Sequence, residues 1–175
     1  MAAMNKPITA SNTASTAPLT AASIKGPESI WQQIHREAQV AATDEPALAN
    51  FFNATILSHS SLGNALSYYL ASKLASDEVP EAMLRTLMDR AFSTTHIIDA
   101  VAADIAATVD RDSACTLYLT PFLYFKGFLA LQAYRVAHQL WNEQRQSLAL
   151  LVQYRISLIF AVDIHPAAVI GSGIL

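Results

Sequence analysis

The sequence predicts an all-α domain of about eight helices, followed by the start of a parallel β-helix. Three observations carry this. Apolar residues recur at three- and four-residue spacing from Ile30 to Phe160. Helix-opening punctuation, either an acid–proline pair or a Ser/Thr cap, separates the apolar runs. In the last fourteen residues the helical period gives way to a six-residue one.

The first helix follows Gly26-Pro27 and shows one apolar face through Ile30, Trp31, Ile34, Ala38 and Ala41. Asp44-Glu45-Pro46 opens the next, because proline is tolerated in a first helical turn, where its missing N–H would be unpaired anyway. Phe51, Phe52, Ile56 and Leu57 follow. Ser60 or Ser61 caps a third helix through Leu62, Ala65, Leu66, Tyr69 and Leu70. Val79-Pro80-Glu81 opens a fourth through Leu84, Leu87, Met88 and Ala91. Thr94 or Thr95 starts a fifth through Ile98, Val101, Ile105 and Val109. Asp110-Arg111-Asp112 interrupts the periodicity. Thr120-Pro121 then opens one long helix to about Trp141, and a last helix runs from about Gln144 to Phe160. No run alternates with period two, so no sheet is expected.

Ile164 and Ile170 each begin a six-residue unit, and Gly171 follows the second. In a hexapeptide β-helix each short strand supplies one inward aliphatic residue and each corner takes a small one. A coil needs three units, about 18 residues, and several coils must stack to shield the core. Residues 161–175 hold two units, so the sequence is expected to stop inside a truncated domain. The expected organisation is a disordered tail over 1–27, a helical domain over 28–160 and the first β-helix units over 161–175.

The chain has 175 residues, of which 53% are hydrophobic and 14% charged, with a formal net charge of −3. Soluble domains average about 25% charged. The apolar excess implies a well-filled core together with a subunit interface. No basic block suggests nucleic acid or anionic lipid as a partner. No run spans a membrane: Leu148–Val162 is broken by Gln153 and Arg155 and is shorter than the roughly 20 residues required. Residues 1–27 lack the apolar core of a secretory signal. They resemble an organelle transit peptide weakly, and a disordered tail fits them better. The single cysteine, Cys115, suits a reducing compartment and reads as a small buried apolar residue rather than a nucleophile.

No nucleophile elbow, phosphate-binding glycine loop, Cys-x-x-Cys pair or zinc-spaced histidine pair occurs. His35, His59, His96, His138 and His165 are scattered, and no metal site is expected. Two acids stand at breaks in the pattern. Asp112 lies between helices and either caps the next turn or aims into a cleft. Asp163 lies where the helical pattern ends and either satisfies turn backbone or serves a site. The aromatic run Tyr118, Phe122, Tyr124, Phe125 and Phe128 contains only Lys126 as a charge, which suits packing rather than a nucleobase platform.

Several segments together resemble the serine O-acetyltransferases, a hexapeptide-repeat acyltransferase family. The segment from Thr120-Pro121-Phe122-Leu123 to Ala133-Tyr134-Arg135 is similar to that family's long helix. Ile30-Trp31 with Arg36-Glu37-Ala38, Glu45-Pro46 with Leu48, and Leu62-Gly63-Asn64-Ala65-Leu66-Ser67-Tyr68 match in order. Val162-Asp163-Ile164-His165-Pro166-Ala167-Ala168 with Ile170-Gly171 resembles the entry into its left-handed β-helix. The likeness runs from about Ile30 to Leu175.

The resemblance implies acetyl transfer from acetyl-CoA to L-serine for cysteine biosynthesis, in the cytoplasm, with no bound cofactor. A histidine general base activates the serine hydroxyl, itself a weak nucleophile at neutral pH. Asp163 matches the aspartate that orients this base, and Asp112 matches the aspartate that contacts the amino-acid substrate. The resemblance places the base, the CoA groove and a tail that docks into cysteine synthase beyond Leu175, so this chain alone is expected to be inactive. It also implies self-association through the helical domain, in a hexamer built as a dimer of trimers. The alternatives are a non-catalytic helical oligomerisation module and a hexapeptide acyltransferase with another acceptor.

Overall fold

The computed structural model describes Ile24 and residues 26–175. The disordered tail expected over 1–27 falls mostly on residues outside this set. Eight α-helices follow in order: α1 (Pro27–Asp44), α2 (Ala49–Phe52), α3 (Leu62–Leu74), α4 (Glu81–Phe92), α5 (Thr95–Arg111), α6 (Leu119–Tyr124), α7 (Lys126–Asn142) and α8 (Gln146–Phe160). A 3-10 turn (Pro46–Leu48) precedes α2, and a π-helical turn (Asn53–Leu57) continues it. Among the described residues there is no strand beyond an isolated bridge between Ser76 and Val79.

Local chemistry sets the helix ends. Gly26 enters α1 at φ 87°, a conformation glycine adopts without strain, and Pro27 occupies the first helical position. Ser61 is the cap of α3, and its Oγ accepts the Asn64 amide at 3.2 Å. Thr94 is the N-cap of α5, but its side chain makes no capping bond there; its hydroxyl donates back to Arg90 O at 3.4 Å. Asp44 ends α1 rather than opening the next helix, and Pro46 starts the 3-10 turn.

α7 is the central helix. Every residue from Phe128 to Ala137 is buried, as expected of a helix packed on all sides. It packs against α4, α5, α6 and α8, while α3 packs on α4 and α8. Arg155 of α8 reaches the end of α3, donating to Leu74 O at 2.7 Å and to Ala75 O at 2.8 Å.

The single long helix expected from Thr120 to Trp141 is two helices. Phe125 is extended, with φ −87° and ψ 105°, and separates α6 from α7. At about 100° per residue, a straight helix would keep Leu129 on the face of Phe122 but turn Phe128 about 120° away from Phe122 and about 140° away from Leu123. The break lets all four point inward, and all four are buried. The Leu123 carbonyl at the break accepts the Tyr69 hydroxyl at 2.8 Å, and the Tyr69 ring stacks on Phe122 at 6.1 Å.

Candidate functional site

Asp112 is the C-cap of α5, and its N–H bonds Thr108 O. Its side chain turns back on the loop that follows. Oδ1 accepts the Ala114 amide at 2.9 Å, and the Asp112 carbonyl accepts the Cys115 amide at 2.9 Å. This is an Asx turn, a local arrangement that aspartate favours. The second carboxylate oxygen has no hydrogen bond among the described residues. The far end of this loop is held by α1: Glu37 Oε2 accepts the Leu119 amide at 2.8 Å, at the unpaired N-terminus of α6. Cys115 is buried. Burial first, and then the Asp112 carboxylate, push its thiol above the usual range, which suits a packed residue and not a nucleophile.

Asp163 lies three residues past the end of α8. Ala161 stops that helix in the left-handed region at φ 58°. Asp163 is exposed, and its Oδ1 accepts the Gln153 side-chain amide at 2.7 Å. No hydrogen bond or ion pair among the described residues joins Asp163 to Asp112. His165 is exposed beside it, with its ring edge-on to Trp141 at 5.0 Å.

Residues 161–175 are not free of the bundle. They lie across α5 and α7, and side chains of these helices bind their backbone. His138 Nδ1 donates to Pro166 O at 2.7 Å, and the Tyr134 hydroxyl donates to Ala168 O. Arg135 Nη2 donates to Gly171 O at 2.9 Å, and Arg111 Nη1 to Gly173 O at 2.9 Å. Asp104 Oδ1 accepts the Ile174 amide at 3.0 Å. Ile164, Ile170 and Ile174 line a cavity of about 640 Å³ over the α6–α7 break, together with Phe128 and Leu131.

Asp104 and Arg135 form a buried ion pair at 2.6 Å. Asp104 is fully buried, and its Oδ2 also accepts Gln132 Nε2 at 3.0 Å. Sequence reasoning missed Asp104, Gln132 and Arg135 as a group and gave His138 no role. A signal for Asp104 is visible in α5: it sits with Val101, Ile105 and Thr108 on the apolar face. Arg135 likewise stands between Tyr134 and Val136 in an apolar helix. Among the described residues, no three His, Cys, Asp or Glu side chains gather in a way that could hold a metal ion. No helix of the described residues is long and apolar enough to cross a membrane.

An α-helical bundle that carries an aspartate turn and binds a C-terminal segment along two of its helices is the class of structure defined here. The family model for the serine acetyltransferase N-terminal region matches residues 30–133. The serine acetyltransferase of Haemophilus influenzae is 53% identical over 147 residues, covering 83% of this chain and 55% of the relative. A solved serine acetyltransferase in complex with CoA superposes with a TM-score of 0.82 at 52% identity, covering 84% of this chain and 63% of that one. Soybean serine acetyltransferase complexed with serine gives 0.81 at 50% identity, covering 83% and 60%. The chain therefore belongs to the serine acetyltransferase family. It spans about half the length of the curated relatives it matches.

Proposed function

We propose that the chain is the helical part of a cytoplasmic enzyme that transfers an acetyl group from acetyl-CoA to L-serine, giving O-acetylserine for cysteine synthesis. The observation that supports it most is the likeness to relatives solved with CoA and with serine at about half sequence identity. In this reading Asp112 holds the substrate ammonium through the carboxylate oxygen that the Asx turn leaves over. Asp163 orients a general-base histidine, which takes the serine proton as the hydroxyl attacks the thioester carbonyl. The CoA thiolate is then the leaving group. Residues 161–175 are read as the first units of a left-handed β-helix, which the shared cavity of Ile164, Ile170 and Ile174 supports. None of the five histidines here is assigned as the base, so these 175 residues are expected to be inactive alone.

The test is thiol release from acetyl-CoA with L-serine. The chain alone is expected to give none. Joined to the remaining length of the Haemophilus influenzae relative, it is expected to turn over. Asp163→Asn then lowers kcat, and Asp112→Asn raises the KM for L-serine. Turnover indifferent to both substitutions overturns the assignment.

The exposed residues of α8 support a second role in assembly. Leu150, Tyr154 and Leu158 recur every four residues on one exposed face, with Ile159 beside them. A second copy covering this stripe would give the self-association that the resemblance implies, as part of a hexamer of two trimers. Light scattering at micromolar concentration is expected to show an oligomer, and a monomer overturns this role. The resemblance assigns docking on cysteine synthase to a C-terminal tail, and no residue of 1–175 is proposed for it.

A further inference from the structure

We propose that Asp104, Arg135 and Arg111 are positioning residues that fix the register of residues 166–174 on the α5–α7 face. They thereby hold that segment and the Asp112 turn in one rigid frame; the functional meaning of that frame rests on Asp112 being the substrate carboxylate. The segment's carbonyls at 166 and 168 are bound from α7, by His138 and Tyr134. Those at 171 and 173 are bound by Arg135 and Arg111. The segment turns at Pro166–Ala167, where the Ala168 amide donates to His165 O at 2.9 Å, and bends again at Ser172–Gly173, where Gly173 takes φ 72°; the bound carbonyls flank these two changes of direction. As the segment runs forward, its bonds step back one turn of α7 from His138 to Tyr134, stay at that level with Arg135, and pass to Arg111 of α5 at its end. A slip of one residue would move the turn at 166–167 and the bend at 172–173 off the side chains that bind beside them.

The buried pair at the centre has the chemistry of a register device. Asp104 Oδ2 accepts Arg135 Nη2 at 2.6 Å, Arg135 Nε at 3.2 Å and Gln132 Nε2 at 3.0 Å. That leaves Oδ1 for a single N–H, that of Ile174. Arg135 is divided in the same way between Asp104 and Gly171 O. A buried ion pair adds little net stability over well-packed apolar residues, and its best-attested use is to select one register. Here both members reserve a hydrogen bond for the same short segment. Arg111 adds the third tie and immediately precedes Asp112. The segment is thus tied to α5 both at Asp104 and at Arg111, and α5 is the helix that ends in the Asp112 turn.

Residue-resolved amide hydrogen exchange on the 175-residue chain tests this without reference to serine. The double variant Asp104→Leu/Arg135→Met removes both charges together and leaves neither unpaired. The expected result is at least tenfold faster exchange of the Ile174 amide, with α8 amides unchanged and the Ala114 amide shifted in the same spectra. The exposed Arg111→Gln variant spares the core. It is expected to raise exchange at 173–174 by about threefold or more, and Arg111→Lys, which keeps a donor, restores most of the protection. Wild-type protection of Ile174 in the double variant would show that apolar seating alone holds the segment and would overturn the proposal. So would an equal loss of protection throughout α5, α7 and α8. An unshifted Ala114 amide would overturn the shared frame. Inactivity toward serine of the chain joined to the remaining length of the Haemophilus influenzae relative, with these exchange results intact, would count against the acetyl-transfer reading alone.

Discussion

Replacing Arg155 by methionine probes how α8 is fastened to α3. The methionine keeps most of the apolar stem and removes the guanidinium, which donates to Leu74 O and Ala75 O at 2.7 and 2.8 Å. Both carbonyls belong to the end of α3, where no intrahelical partner remains. A hydrogen bond from a charged group contributes about 1.5–3 kcal/mol, and a cation near a helix C-terminus adds about 0.3–1 kcal/mol. Arg155 is buried with no carboxylate partner among the described ion pairs, so relief of its desolvation offsets part of the loss. The net expectation is a loss of about 2–3 kcal/mol. At about 2–4 °C per kcal/mol for a domain of this size, the Tm falls by about 4–12 °C. Urea unfolding followed by circular dichroism is the assay, with an unchanged m-value showing that the same surface is exposed. Arg155→Lys reaches one carbonyl and loses about half as much. A change below about 0.5 kcal/mol in the methionine variant would refute the reasoning, because it would mean the two carbonyls find water without cost.

Three further outcomes follow from the packing. A Cβ at Gly63 would stand 3.1 Å from the Phe92 carbonyl oxygen, whereas one at Gly127 meets nothing within 4 Å. Gly63→Ala is expected to destabilise by about 1 kcal/mol and Gly127→Ala to stabilise by about 0.5–1 kcal/mol; melting temperatures that move in the same direction refute the contrast. Cys115, buried and with a raised thiol, is expected to react with a disulfide reagent at pH 8 at least tenfold more slowly than in the urea-unfolded chain. Burial also raises the hydroxyls of Tyr69, Tyr118, Tyr124 and Tyr134. Above about pH 10 the unfolded chain gives up these protons while the folded chain keeps them, so their contribution to stability is constant below that pH and is lost above it. Lys73, lowered by burial, acts in the opposite sense, but it is one group against four. A urea midpoint that does not change between pH 9 and 12 refutes this.

The helices were legible because their apolar faces repeat cleanly and because Pro27, Ser61 and the Pro80-Glu81 pair mark their starts. What the periodicity could not supply was the break at Phe125. Apolar residues surround it on both sides, so a continuous helix and a broken one share nearly the same pattern, and only tertiary burial of both Phe122 and Phe128 decides between them. Thr94 and Thr95 marked the start of the fifth helix correctly, although the Thr94 hydroxyl bonds a carbonyl of the preceding helix. At the candidate site, Asp112 and Asp163 were visible as acids at pattern breaks. The Asp104–Arg135 pair was not, because its members lie 31 residues apart on two helices that otherwise read as core. A long-range polar pair leaves no local period to detect.

The same separations set an order in time. During synthesis, Asp104 is made 31 residues before Arg135 and 70 before Ile174. At about 5–20 residues per second, the arginine follows within seconds and neutralises the carboxylate while α7 is being added. The backbone groups of residues 166–174 arrive after both, onto a helical surface whose donors and acceptor already stand in place. The bundle is therefore a mould that can set before the segment it shapes has left the ribosome.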